Sequence, residues 1–318
     1  IILSICISVS LGQADIPIWE TYQIILHKIS GGALGSLEGT VGTSAVNIIG
    51  HIRLPRVLFA LFAGMGLALS GSVMQAIVQN PLADPYILGI SSGSSLGATF
   101  AILVGFGGGS VLSQFGLAVG AFVGAVIASL TVLTLSSIGG RMTSMKLVLS
   151  GSVVSSLCGA FSSFIVYFAN DAEGMRTVTF WSMGSFASSS WEKVPILAIC
   201  VLTVAIFFMS QHRILNTMLV GDEAAVTLGI KLSSYRRYYM LLTSLLTGVI
   251  VAYCGMIGFV GLVIPHIVRG IVGSDHKRLV PLTALIGSLY LIWSDVLSRI
   301  LVENVELPIG IITAIVGA

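Results

Sequence analysis

Charged side chains are scarce in this 318-residue chain: 13 acidic and 15 basic residues amount to 9% of it, against roughly 25% in ordinary soluble domains. With 55% hydrophobic residues and a mean hydropathy of +1.02, water is not its main solvent. Enzyme signatures are missing as well. There is no G-x-x-x-x-G-K-[ST] phosphate loop, no H-E-x-x-H, and no Ser/His/Asp set that spacing would assemble. If ATP drives a process here, another subunit must bind it. Cysteine is rare, and Cys6, Cys158, Cys200 and Cys254 all lie in apolar runs without C-x-x-C spacing, so neither a disulfide nor a zinc site is expected and they read as packing residues. Carboxylates and histidines inside the apolar runs are nearly absent, which disfavours a proton- or sodium-coupled carrier. Asp295 and His266 come nearest, and both sit close to an expected membrane edge, where an interfacial or capping role is the simpler reading. The net charge of +2 carries no argument for nucleic acid.

What the chain does have is a succession of apolar stretches near the length of about 20 residues that a bilayer crossing needs. Reading them against polar, Gly and Pro punctuation predicts spans near 1–13, 55–78, 86–106, 114–136, 145–168, 192–210, 238–256, 258–273 and 280–298, with another beginning near 308. The expectation is an all-α, polytopic transmembrane bundle of about ten spans, a single domain over 1–318 with both ends clipped. Between the first two spans, Pro17 to Ile29 reads as a short surface helix. Arg141, Lys146, Arg213, Lys231, Arg236, Arg237, Arg269, Lys277 and Arg278 fall on one side; Lys28, Arg53, Arg56, Arg176, Lys193 and Arg299 fall on the other. By the positive-inside rule the first set is cytoplasmic. The acids Asp15, Glu20, Glu38, Asp171, Glu173, Glu192, Glu303 and Glu306 all lie outside, and both termini are then cytoplasmic.

Glycine is abundant, at 37 residues, and Gly89, Gly93, Gly97 and Gly116, Gly120, Gly124 fall at helical spacing. Small residues four apart let helix backbones approach closely in lipid. Tight packing is the first reading of this segment, and a pore wall of Ser91, Ser92, Ser94 and Ser95 the second. Gly64, Gly71, Pro81 and Gly89 also match Gly248, Gly255, Pro265 and Gly273 at a constant offset of 184, which would be an internal duplication of the kind transporters use.

Three constellations stand out. Arg53-Leu54-Pro55-Arg56 lies at the outer mouth of the second span with Arg299 at the outer end of the ninth; Pro55 suits a first helical turn and would leave both arginines facing outward, either as interfacial anchors or as forks gripping an acidic partner. Asn80-Pro81-Leu82-Ala83-Asp84-Pro85 interrupts an apolar stretch, and irregular backbone at membrane depth implies a lining or gate. The cytoplasmic loop Gly221 to Gly229 has Asp222 and Glu223 to start a short helix and Gly229 to end it, a docking surface or an ordinary solvated loop.

Taken together, Arg53 to Arg56, Leu69-Ser70-Gly71-Ser72-Val73-Met74-Gln75, Asn80 to Gly89, Gly221 to Gly229, Gly258 to His266 and Glu306-Leu307-Pro308-Ile309-Gly310 resemble the FecCD-type permeases, in order and over nearly the whole chain. These are membrane subunits of binding-protein-dependent ABC importers for iron-siderophore complexes, haem and cobalamin. The resemblance implies a type II importer permease in a bacterial cytoplasmic membrane, paired with a second permease subunit (a copy or a paralogue). Two ATPase subunits that hold ATP and Mg would lie inside, and a substrate-binding protein outside. By motif, Arg53, Arg56 and Arg299 resemble the arginines that receive glutamates of the binding protein; Asn80 and Leu82 resemble the cytoplasmic gate. Gly221, Asp222, Glu223, Ala224, Leu228 and Gly229 resemble the coupling helix that sits on the ATPase. Asp84 stands where some relatives have glutamate. No metal or cofactor site of its own is implied, and an iron complex is the expected cargo, with cobalamin the alternative.

This topology is checkable by labelling. A Gly221→Cys side chain should be protected from an impermeant thiol reagent added outside, and Ala172→Cys should react; the opposite pattern would reverse the orientation.

Overall fold

A computed structural model describes residues 1–14, 16–30, 42–105, 111–140, 142–221, 227 and 231–318. Among these, Ile2–Ser10 (α1) and Ile18–Ile29 (α2) precede a long central helix. Pro55 lies in the first α-helical turn of that helix, as expected, but the chain is already helical before it. Thr43–Asn47 (α3) runs through a π-helical turn, Ile48–Arg53, straight into Leu54–Val78 (α4). Proline lacks an N–H and its ring crowds the carbonyl four residues earlier, so a wider turn just ahead of it relieves the conflict. The chain continues through Ile90–Leu103 (α5), Val111–Ser137 (α6), Ser144–Phe168 (α7), Ala172–Ser182 (α8), Lys193–Ser210 (α9) and His212–Val220 (α10). It closes with Leu232–Cys254 (α11), Val260–Val272 (α12), His276–Ile300 (α13) and Ile309–Gly317 (α14).

Six of the described helices are long and apolar enough to cross a bilayer: α3–α4 as one, α6, α7, α9, α11 and α13. The shorter apolar helices α5 and α12 have 14 and 13 residues. Helices α1 and α14, nine residues each, lie where the sequence reading places its first and last spans. Central α4 packs against α13, α11, α12 and α9, and 83% of its most apolar window is buried. For α7 the share is 17%, with Leu149, Val153, Leu157, Phe161 and Phe164 on its exposed face, as for a helix that meets lipid or another subunit.

No hydrophobic force draws helices together in lipid, so close backbone approach must hold this bundle. A Cβ added at Gly97 would overlap the Gly120 carbonyl, and one at Gly124 the Gly93 carbonyl, so the α5–α6 stripe is packing, as the spacing predicts. Gly89 leaves the stripe and packs beside Val154 of α7. The same device joins α4 to two further helices: Gly64 abuts Gly287 of α13, and Gly71 abuts Gly261 of α12. The offset of 184 does not describe a structural repeat. It pairs Gly71 inside α4 with Gly255 beyond the end of α11, and Pro81 in a turn with Pro265 inside α12.

The packing can be tested by volume. Gly97→Val should wedge α5 from α6 and cost about 1–3 kcal/mol, the usual penalty of overpacking, read as a lower unfolding temperature in detergent. Gly159→Val on α7, where an added Cβ meets nothing within 4 Å, should leave that temperature nearly unchanged.

Candidate functional site

At one end of the bundle the three singled-out arginines come together, but none faces outward. Arg53, Arg56 and Arg299 are 4%, 6% and 7% exposed. A helix leaves its last carbonyls without partners and carries partial negative charge there. The end of α1 is closed by two guanidinium groups. Arg53 Nη1 donates to the Val9 and Ser10 carbonyls at 3.1 and 3.0 Å, and its Nη2 donates to Ala14 O at 2.6 Å. Arg299 donates to Leu11 O at 2.8 Å and Ser8 O at 3.2 Å. Gly12 leaves the room: an added Cβ would sit 2.7 Å from Arg53 Nη2.

Arg56 has carboxylate partners instead. Its Nε donates to Asp295 Oδ1 at 2.8 Å and its Nη2 to Glu306 Oε1 at 2.6 Å. Arg299 Nε lies 3.1 Å from Asp295 Oδ2, an ion contact, while donating to the Asp295 carbonyl at 3.3 Å. Asp295 is fully buried and shared by two cations. Glu306 is the accessible member, its side chain 37% exposed. Three cations thus meet two carboxylates, and the cluster keeps an excess of positive charge. The outward reading fails because a guanidinium here finds acceptors in backbone carbonyls and in side chains some 240 residues away, which no local spacing reveals.

At the opposite end, α4 stops at Gln79, whose left-handed conformation (φ 56°) turns the chain. Asn80, Pro81 and Leu82 project from the bundle, Leu82 being 57% exposed. The Asn80 side chain accepts from the Leu82 N–H at 2.9 Å, and Asp84 accepts from the Tyr86 N–H at 2.8 Å, opening a 3-10 turn over Pro85–Leu88. The segment then runs back into the bundle. Pro85 lies against Gly261, itself against Gly71, which is seven residues (about 10 Å at 1.5 Å each) inside the end of α4. There Tyr86 Oη donates to Ile257 O at 2.9 Å and accepts from Ile257 N–H at 3.2 Å, supplying partners to the irregular 255–259 segment.

Two other breaks join it. Ser185 N–H donates to Cys254 O at 2.8 Å, Ile309 N–H to Gly184 O at 3.1 Å and Gly310 N–H to Met183 O at 3.0 Å. Beside this junction lies a cleft of about 500 Å³ lined by Tyr86, Ser91, Met183, Met256, Phe259 and Ile311, among others. Of the four candidate wall serines only Ser91 lines it, donating to Met256 Sδ at 2.8 Å. Ser92 and Ser95 are half-buried, and Ser94 belongs to the buried face of α5 with Ile90, Gly93 and Ala98, so it cannot serve as wall in this arrangement. A second cleft of about 690 Å³, rimmed by Glu173, Arg176, Trp181 and Lys193, lies against α8, a helix the hydropathy reading does not predict.

Of the coupling-loop residues, Gly221 is half-buried at φ 113°, while Asp222, Glu223, Ala224, Leu228 and Gly229 lie outside the described residues, as do Asp15, Glu38 and Arg141. Two supposed loop cations turn out to be internal braces. Arg236 is 1% exposed and donates to the Ile77 and Met142 carbonyls and to Ser144 Oγ. Arg269 donates to Gln75 Oε1 at 2.9 Å.

The model of the FecCD transport family matches residues 1–318. The chain is 39% identical to the hemin transport system permease protein HmuU of Yersinia pestis, over 84% of this chain and 79% of that one. It is 38% identical to the cobalamin import system permease protein BtuC of Halobacterium salinarum, over 97% and 85%. A solved inward-facing structure, described as a metal-chelate type ABC transporter, superposes with a TM-score of 0.79 at 33% identity over 94% of both chains.

The shared carboxylate gives a direct test. Asp295→Asn should leave Arg56 and Arg299 without their common counter-charge and cost about 3–5 kcal/mol, the loss typical of breaking a buried pair. Glu306→Gln, at the accessible member, should cost under about 1 kcal/mol. Thermal unfolding of the two variants in detergent would separate them, and equal losses would overturn this ranking.

Proposed function

This chain belongs to the FecCD transport family of ABC permease subunits, and on that footing we propose that it carries an iron complex, a siderophore or haem, across the cytoplasmic membrane. The observation that carries this cargo is its likeness to a hemin permease together with a solved neighbour described as of metal-chelate type. Cobalamin is the second reading, favoured by a cobalamin permease of almost equal identity that matches more of the chain. Catalysis of ATP hydrolysis is assigned to separate subunits that bind ATP and Mg; the present chain supplies the path.

In this reading both termini are cytoplasmic, so the arginine cluster lies outside and the Asn80–Leu82 turn inside. The cleft at Ser91, Met183, Met256 and Phe259 forms part of a weakly polar wall that a second permease subunit completes. Such a wall suits a large ligand that must pass without being held. The segment Gly221 to Gly229 meets the ATPase, and nucleotide binding there switches which end is open. The binding protein docks on the arginine end through carboxylates. Since Arg53 and Arg299 are engaged by α1, Arg56 is the fork an incoming carboxylate can share, in competition with accessible Glu306.

The cargo test is ATP-dependent uptake into proteoliposomes holding the permease, its ATPase and its binding protein. Ferric siderophore or haem should accumulate, and uptake of cobalamin alone would overturn the iron reading. For docking, Glu306→Gln should tighten binding-protein affinity by up to about tenfold, or 1.4 kcal/mol, and raised ionic strength should weaken it. An affinity indifferent to both would reduce the cluster to a structural clamp.

A further inference from the structure

Helix α10 is tied at two points to the parts of the bundle that the proposed function would have to move. Its apolar face is seated firmly: Leu215 and Met218 are fully buried. Asn216, between them, clasps the start of α13. Its Oδ1 accepts from the His276 N–H at 2.8 Å and lies 2.9 Å from His276 Nδ1, and its Nδ2 donates to Asp275 Oδ1 at 2.7 Å. The Asn216 amide, with the Lys277 N–H, holds the Asp275 carboxyl below the usual carboxylate range, so this acceptor stays ionised at neutral pH and would be lost only as pH falls through that lowered range. At its last turn, α10 has carbonyls without helical partners. Gln79 Nε2 donates to one of them, Met218 O, at 2.8 Å.

Gln79 is also the residue at which α4 stops, held in the left-handed region that costs a non-glycine residue roughly 1–2 kcal/mol. One turn earlier, Gln75 pins α4 to α12 by donating to Leu262 O at 3.2 Å and accepting from Arg269. Within the turn, Leu82 N–H donates to Asn80 Oδ1 and Ala83 N–H to Asn80 O, while Asn80 N–H donates to Gln75 O at 3.2 Å and ties the turn back to α4 across Gln79. The turn can swing as one piece, and Gln79 is where it would pivot. Immediately after α10, Gly221 at φ 113° redirects the chain into the segment read as the ATPase contact.

We propose that α10 is a lever that carries displacement arriving through Gly221 to the Asn80–Leu82 turn, with Gln79 as the positioning residue at the gate and Asn216 as the fulcrum on α13. This rests on the reading of the chain as a nucleotide-driven permease. Neither residue need touch the transported ligand. Their role is to make the turn's orientation a function of where α10 sits.

The test uses the reconstituted complex with its ATPase subunits and a Leu82→Cys probe, labelled by a charged maleimide against a parent lacking that cysteine. In the otherwise unaltered chain the labelling rate should differ about tenfold between nucleotide-free and ATP-trapped complex, as for an ordinary two-state coupling. With Gln79→Leu, or with Asn216→Leu, the ratio should fall to within about twofold while ATP hydrolysis persists. Gln79→Lys keeps a donor that can reach Met218 O and should restore the ratio, which repair of a folding defect would not explain. Gln211→Leu removes the 2.9 Å bond from Tyr239 at the other end of α10 and should leave the ratio intact. A full ratio in Gln79→Leu would overturn the lever while leaving the permease reading standing. No nucleotide dependence in the Leu82→Cys chain itself would overturn that reading, and the lever with it.

Discussion

Inside a bilayer, an N–H or carbonyl that leaves a helix finds no water and must be met by protein. This chain leaves helical form within its bundle at several places, around 79–89, 183–185, 255–259 and 306–308, and it resolves the difficulty by bringing the breaks together. Tyr86 Oη serves both backbone groups of Ile257, Ser185 reaches Cys254, and Ile309 and Gly310 reach Gly184 and Met183. Each irregular segment is thus the solvent of another. The half-length helices α5 and α12 follow from this, since each can begin at depth only because its preceding break is satisfied there. The cleft beside the junction follows too, since interlocked turns leave grooves that continuous helices would fill.

Around that junction the long helices are held by contact rather than by exclusion from water. Glycine at 64, 71, 93, 97, 120, 124, 261 and 287 lets carbonyls of one helix press on the backbone of another. Side chains of arginine do the rest. Arg236 and Arg269 brace one end of the bundle, while Arg53, Arg56 and Arg299 brace the other. A chain so poor in charge therefore places several of its few cations indoors, where each guanidinium can satisfy two or three carbonyls at once.

Much of this is legible in the amino-acid sequence. The spans appear close to where hydropathy puts them, because twenty-residue apolar runs have few alternatives in lipid, and the Gly93/Gly97 and Gly120/Gly124 stripe reads correctly because its spacing is local. What is not legible depends on distant partners. Nothing near Arg56 announces Asp295 and Glu306, and nothing near Arg53 announces the end of α1. Arg236 counts as a loop cation only until Ile77 and Met142 are seen beside it. Pro55 does lie in a first α-helical turn, but the rule for proline is local and does not announce the π turn and the short helix α3 that precede it. Helices α8 and α10 are hidden for a different reason: both are short and amphipathic, and a search for apolar runs passes over them.

Helix α13 is 25 residues long, about 37 Å at 1.5 Å per residue, with Asp295 and Arg299 near one end and the Asp275–His276 clasp on α10 at the other. Any coupling that a rod engaged at both ends carries between the two surfaces is thermodynamically reciprocal. If a ligand at the arginine end shifts the rod so as to favour one seating of α10, then a ligand at the α10 end must alter affinity at the arginine end by the same factor. Direction of signalling is then not built into the protein at all. It is set by whichever side is supplied with free energy; in the proposed function that side is the ATPase face, and the same helix would turn nucleotide hydrolysis there into a change in how firmly something is held on the other.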